Sequence, residues 1–357
     1  MLAQAGVCGP VVGGGLSGSV GSMSAMELEL DAIASETGFS GVVRVDTGDR
    51  IELARAYGLA HRAFEIPNEV DTRFALASGT KGLTALTVLS LVEDGALELA
   101  TTARSILGKD LPLVGDGVTV EHLLAQRSGI GDYLDEELGL DIDAYLMPVP
   151  VHELATTDDY LAVLGGHPPK FAPDERFAYS NSGYVVLALI AERVSGTSFH
   201  ELVQRRVCEP AGMHDTAFLW SDELPARTAR GYLEGNDPWR TNVFHLPVRG
   251  SGDGGIFSTA QDVRSFWAAF FAGRIVSSEW VEEAVLPRSE DSSRSRWYGL
   301  GFWLHASTDT VLLVGMDSGV SFSSMHVRQS NVTCTVLSNT SHGAWPVSRY
   351  LGERLGL

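Results

Sequence analysis

Lysine is nearly missing from this chain: Lys81, Lys109 and Lys170 are the three in 357 residues, against 23 arginines. Cysteine is as scarce, and Cys8, Cys208 and Cys334 form an odd, widely spaced set that gives no disulfide framework. His152-Glu153 and His200-Glu201 each lack a second histidine four residues after the first, so the zinc-protease pattern is absent and no metal or other cofactor is expected. No GxSxG sequence occurs, which leaves an α/β-hydrolase reading without its nucleophile elbow. No apolar run approaches the ~18 residues that a membrane-spanning helix requires. Residues 1–25 carry no lysine or arginine and are broken by Gly13-Gly14-Gly15, a poor match to a secretion signal. They are read as a flexible leader, with a cytoplasmic location for the protein. Positive charge is short overall, and the formal net charge of −19 opposes nucleic acid and anionic membranes as partners. The 44% hydrophobic content and a mean hydropathy near zero describe a soluble globular chain.

Against that background Lys81 stands out, because it closes the sequence Ser78-Gly79-Thr80-Lys81 at the start of an apolar helix over Leu83 to Val92. Three residues along a helix share a face, so the hydroxyl and the amine can touch. A guanidinium cannot give up its proton, whereas a desolvated ammonium can have its pKa lowered far enough to act as a base. The stretch Thr72 to Ala77 reads as extended, which puts Ser78 at an N-cap. A second element, Tyr179-Ser180-Asn181, precedes another apolar helix over Val185 to Val194. If that segment is extended, Tyr179 and Asn181 face one pocket. There a phenol can relay a proton and a carboxamide can orient the amine and hold a substrate carbonyl.

The serine-x-x-lysine, the tyrosine-x-asparagine about a hundred residues on and a glycine-flanked strand near the C-terminus together resemble the serine β-lactamase and penicillin-binding protein superfamily. The branch implied is that of class C β-lactamases, D-aminopeptidases, D-alanyl-D-alanine carboxypeptidases and β-lactamase-like esterases. The likeness runs from about Met26 to Pro346. It includes Val120-Glu121-His122-Leu123-Leu124 leading to Ser128-Gly129-Ile130, Phe171-Ala172-Pro173, and Gly254-Gly255-Ile256-Phe257-Ser258-Thr259-Ala260. The resemblance implies catalysis by Ser78, Lys81 and Tyr179, with Asn181, Asp317, Ser318 and Gly319 binding substrate. One departure concerns the strand that lines the site, where relatives carry lysine or histidine, then any residue, then glycine. Its nearest counterpart is Gly315-Met316-Asp317-Ser318-Gly319-Val320, with Met316 in place of the cation. In peptidase and lactamase members that cation helps bind a carboxylate, so its loss favours esters or amides as substrates.

The chemistry implied is attack by Ser78 on a carbonyl carbon, with Lys81 or ionised Tyr179 as base and transfer of the acyl group to water. The oxyanion would meet the N–H of Ser78 and a second N–H near Ser318 or Gly319. Delivery of the acyl group to an alcohol or amine would make the protein an acyltransferase. Loss of chemistry altogether would leave a non-catalytic ligand-binding protein. In each case the partner is a small ester, amide or peptide, and sequence does not set the oligomeric state. Gly250-Ser251-Gly252-Asp253-Gly254-Gly255 satisfies the dinucleotide fingerprint in letters only, because no strand-helix-strand unit surrounds it. It is read as a loop bordering the pocket.

Hydrophobic periodicity gives a first helix over Leu28 to Ser35, then strands Gly41 to Val45 and Ile51 to Tyr57 across Asp46-Thr47-Gly48-Asp49. Helical patterns dominate from Ser78 to about Pro287, including Tyr184 to Arg193, His200 to Val207 and Gln261 to Ala272. The last of these has Ser258 and Gln261 spaced as a capping box and Gly273 as terminator. Strands follow over Tyr298 to His305, Val311 to Val314, Phe322 to Val327 and Thr333 to Ser338, then a helix near Val347 to Leu355. The expected fold class is α+β: an antiparallel sheet built from the N- and C-terminal segments, flanked by helices, with a mainly helical second lobe. In domain terms, residues 26–357 form one catalytic domain. Its α/β lobe comes from 26–81 and 288–357 and its helical lobe from 82–287. Ser78 falls at the junction.

Overall fold

The computed structural model of the chain describes residues 25–235, 239–292 and 295–356. The leader expected over 1–25 lies, apart from Ala25, outside them. Near the N-terminus, helix α1 (Ala25–Thr37) is followed by a hairpin of β1 (Gly41–Thr47) and β2 (Arg50–Tyr57). The turn between the strands is Gly48-Asp49, where Gly48 has φ +59°. Three helices pack on one face of the sheet that follows: α2 (Thr80–Glu93), α3 (Asn181–Ser195) and α4 (Ala260–Phe271). The C-terminal third contributes β3 (Ser289–Asp291), β4 (Arg296–Tyr298), β5 (Trp303–His305), β6 (Thr310–Asp317), β7 (Val320–Val327), β8 (Val332–Ser338) and helix α5 (Ala344–Leu355).

These strands make one eight-stranded antiparallel sheet in the order β2-β1-β8-β7-β6-β5-β4-β3. The two ends of the chain meet in its middle: β1 runs against β8 with Gly41 opposite Ser338 and Thr47 opposite Val332. Period-two alternation explains how one sheet serves two cores. Val42, Val311, Leu313, Phe322 and Leu337 belong to the core shared with α2, α3 and α4, whereas Val43, Val45, Leu312 and Val336 belong to the core shared with α1 and α5. Helix α2 is buried from Thr80 through Leu91, as expected of a helix with apolar residues on every side. Gly82 on α2 lets the sheet come close, since a Cβ there would lie 2.6 Å from Leu313 Cδ2.

Three local expectations are corrected. The run Tyr298 to His305 is two strands, because Gly301 adopts φ +95° and the Gly299 N–H closes a turn on Phe302 O at 2.9 Å. The cap of α4 sits one residue later than the Ser258/Gln261 spacing implies: Thr259 accepts from the Asp262 N–H at 3.1 Å, while Ser258 pairs with Phe74 in a two-residue ladder. The helix expected over His200 to Val207 is α-helical only at Phe199–Val203 and widens to a π-turn over Gln204–Cys208. Among the described residues no helix is long and apolar enough to cross a membrane.

Candidate active site

The nucleophile position is built by the strand that precedes α2. Phe74 and Ala75 pair with Ser258 and Phe257, and Leu76 N–H binds Ile256 O at 2.8 Å. Ala77 then takes φ +44°, a left-handed conformation that costs a non-glycine residue ~1–3 kcal/mol and is held by its surroundings. Thr80 Oγ1 secures it by donating to Ala77 O at 2.7 Å. Ser78 is the middle residue of the 3-10 turn Ala77–Gly79 that runs directly into α2. It is therefore not the N-cap that the sequence suggests; Gly79 holds that place and no side chain caps the helix. The consequence is chemical: the Ser78 hydroxyl is not spent on the helix backbone.

It meets Lys81 instead. Lys81 Nζ lies 2.9 Å from Ser78 Oγ, 2.8 Å from Asn181 Oδ1 and 2.7 Å from Asp253 O. Two of these partners, a carboxamide oxygen and a peptide carbonyl, can only accept. The Asn181 orientation is fixed by its Nδ2, which donates to Leu134 O at 2.9 Å. A neutral amine satisfies this set completely, giving one N–H to each carbonyl oxygen and keeping its lone pair for the serine proton. Lys81 is 1% exposed, and burial pulls its pKa down from the ordinary lysine value against the opposing pull of Asp253, Glu136, Asp132 and Asp317.

Tyr179 and Asn181 reach the site by a different local geometry from the extended one expected. Ser180 is the N-cap of α3, its Oγ accepting from the Gly183 N–H at 3.0 Å, so Asn181 is the first residue of a helix. Asp132 holds that helix start: its carboxylate accepts the N–H groups of Asn181 at 2.7 Å and Ser182 at 3.0 Å. A carboxylate at the positive end of a helix is favourably placed. The Tyr179 ring lies 4.9 Å from Lys81 Nζ and stacks on Trp303 at 5.9 Å. Burial pushes the Tyr179 pKa well above its ordinary value, and the nearby Glu136, Tyr298 and Asp253 push the same way. The phenol stays protonated, which suits a proton donor rather than the initial base.

The glycine-rich loop is a clamp on α2 as well as a pocket border. Gly252 O accepts from Thr84 Oγ1 at 2.6 Å, and the next carbonyl, Asp253 O, holds Lys81. A Cβ at position 252 would fall 2.2 Å from Tyr184 O, so only glycine allows this approach. The Asp253 carboxylate is buried and accepts from Tyr133 Oη; burial raises its pKa, with Lys81 and Tyr133 acting in the other direction.

Strand β6 forms the opposite wall, and its register differs from the one read in sequence. A Cβ on Gly315 would lie 2.2 Å from Leu76 O and 2.8 Å from Ser78 N, so Gly315 is the glycine that lets the strand press on the nucleophile turn. The position two residues earlier, where relatives carry the cation, is thus Leu313, 3% exposed in the core, and Met316 is not its substitute. Ser318 and Gly319 form the β6–β7 turn, away from Ser78. Their N–H groups are taken by Asp317 Oδ1 at 2.9 Å and Ser341 Oγ at 2.7 Å. Asp317 and Met316 do line the cleft with Ser78, Tyr179 and Asn181. Asp317 faces Val320 across a two-residue loop, which turns the N–H of Met316 outward, to the edge that β5 leaves open beyond Leu312. That N–H and the Ser78 N–H are the donors placed for an oxyanion. The sequence reading missed Asp132, Asp253 and Tyr133; the glycines flanking Asp253 were the available signal.

Compared with known proteins, residues 26–353 match the model of the family described as Beta-lactamase. Among solved structures, a penicillin binding protein from Bacillus halodurans superposes with a TM-score of 0.84 at 35% identity, covering 91% of this chain and 99% of that one. Among curated proteins, Penicillin-binding protein 4 of Amycolatopsis lactamdurans is 32% identical over 247 residues, 66% of this chain and 60% of that protein. Esterase EstB of Burkholderia gladioli is 32% identical over 237 residues, 58% of this chain and 59% of that protein. The chain therefore spans about three fifths of the length of those two relatives.

Proposed function

Because the chain belongs to the Beta-lactamase family, we propose that it is a serine hydrolase that cleaves an ester or amide through an acyl-enzyme on Ser78. The observation that carries this reading is the three-way contact of Lys81 Nζ with Ser78 Oγ, Asn181 Oδ1 and Asp253 O in a buried setting. In the proposed cycle, Lys81 takes the Ser78 proton as the oxygen attacks the carbonyl carbon. The oxyanion is held by the N–H groups of Ser78 and Met316, a type of contact worth about 3 kcal/mol per donor in other enzymes. Tyr179, protonated, gives its proton to the leaving group. The Lys81 ammonium then returns its proton to the Tyr179 phenolate; water attacks the acyl carbon as it gives a proton to neutral Lys81, and Ser78 Oγ takes that proton as it leaves and the acid is released. The match to an esterase supports the ester branch of the reading.

The test is intact-mass measurement after mixing with an activated ester such as 4-nitrophenyl acetate. An added acetyl mass on the native chain and none on Ser78→Ala is the expected result. An adduct that persists on the alanine variant, or none on the native chain, defeats the assignment.

A further inference from the structure

Resting on the hydrolase reading, we infer that the substrate's acyl part carries an ammonium group, bound by Asp317, and an apolar side chain that enters an inner cavity beside the catalytic cleft. Two spaces meet at Asp317. One is the cleft of Ser78, and the other is an inner cavity; Tyr133, Asp253, Gly254 and Asp317 line both. The inner space is walled mainly by apolar groups, among them Phe74, Leu219, Leu246, Val248 and Phe257. None of Ser78, Lys81 and Tyr179 lines it.

Charge decides what can stand between the two spaces. Asp253 is engaged by Tyr133 and Asp135 is paired with Lys170 at 2.6 Å. Asp317 receives the N–H of its neighbour Ser318, and among the described residues it forms no ion pair. Glu136 also lines the cleft, adding negative potential. Of basic groups besides Lys81 behind Ser78, the cleft wall shows Arg296, which stands opposite Asp291 in the β3–β4 ladder. The position where relatives place a cation is the buried Leu313. A carboxylate on the substrate would meet Asp317 and Glu136 as like charges, whereas an ammonium would supply Asp317 with the partner it lacks. With the carbonyl at Ser78 and the ammonium at Asp317, an apolar side chain on the same carbon has the inner cavity before it. Amides and esters of bulky apolar amino acids have these three groups on adjacent atoms.

Inhibition of 4-nitrophenyl acetate hydrolysis near pH 8 tests this with two size-matched probes, 2-phenylethylamine as the cation and 3-phenylpropionate as the anion. The amine is expected to inhibit at a concentration at least tenfold lower. Asp317→Asn is expected to erase that advantage and Asp317→Glu to restore part of it, a pattern that a merely structural role would not produce. Leu246→Trp, which fills the inner cavity, is expected to raise the amine's inhibition constant at least tenfold. Equal or stronger inhibition by the anion in the native protein overturns the inference, and that comparison needs no variant to fold. An unchanged amine constant in Leu246→Trp overturns the placement of the apolar group. Absence of Ser78-dependent acetylation overturns the hydrolase reading itself, and the inference with it; anion preference with acetylation intact overturns the inference alone.

Discussion

Arginine at position 81 would keep a positive charge and remove a base. Its guanidinium does not deprotonate and is too broad for the three-point pocket formed by Ser78 Oγ, Asn181 Oδ1 and Asp253 O. Lys81→Arg is therefore expected to lower the acylation rate by roughly 10²–10⁴-fold, read from the burst of nitrophenolate. Tyr179 acts later, on the leaving group, so the cost of removing its hydroxyl depends on that group. Nitrophenolate departs without a proton and an amine does not. Tyr179→Phe is expected to cost roughly 10²-fold or more on an anilide or amide and far less on a nitrophenyl ester. Equal losses on both substrates would argue that Tyr179 works in the attack step. The pH dependence has a definite sign: neutral Lys81 is the competent form, so acylation rises with pH through its lowered pKa and levels off above it.

Among the elements, β6 and the turn before α2 depend on each other most closely. Gly315 is the point of contact, and a side chain there would push on the backbone of Leu76, Ser78 and Gly79. Gly315→Val is expected to displace the strand, opening the oxyanion site and lowering acylation at least 10²-fold, while far-UV circular dichroism stays near native. Retained activity would show that the approach of β6 is not needed. This contact was not legible in sequence. The serine-x-x-lysine spacing revealed Lys81 because three residues of helix place two side chains together whatever surrounds them. Alternating apolar residues likewise revealed β1, β2, β7 and β8, since period two sorts side chains between the two cores. The register of the third motif was misplaced because glycines occur at both 315 and 319, and only the packing against Leu76 O says which one meets the nucleophile turn. Ser78 was misread as a cap for a related reason: the left-handed Ala77 that starts the 3-10 turn carries no residue signal. Asp132 and Asp253 act through contacts 49 and 172 residues away, which no local pattern encodes.

Over the whole molecule, the sheet joins the two ends of the chain and brings acidic groups to one cleft, within a protein of net charge −19. Burial pushes the Asp317 carboxyl up to about 7 from an ordinary value of 3.8. Between those values the folded protein binds a proton that the unfolded chain has released. This contribution to stability thus falls as pH rises from about 4 and levels off above about 7. Asp317→Asn removes it, so the variant is expected to melt roughly 2–5 °C above the native protein at pH 8, with the gap shrinking toward pH 5. A gap independent of pH would contradict the assignment of that carboxyl. A residue that serves recognition at a cost in stability fits the role inferred for it.

The scarcity of lysine makes one decisive measurement practical. With Lys81, Lys109 and Lys170 the chain's three lysines, side-chain carbon-13 labelling gives three resolvable signals, and Lys81→Arg identifies the one at issue. Followed by NMR from pH 5 to 11, the Lys81 signal should titrate below the usual value of 10.5. A Lys81 signal titrating at 10.5 or above would leave Ser78 without its base and contradict the mechanism at its first step.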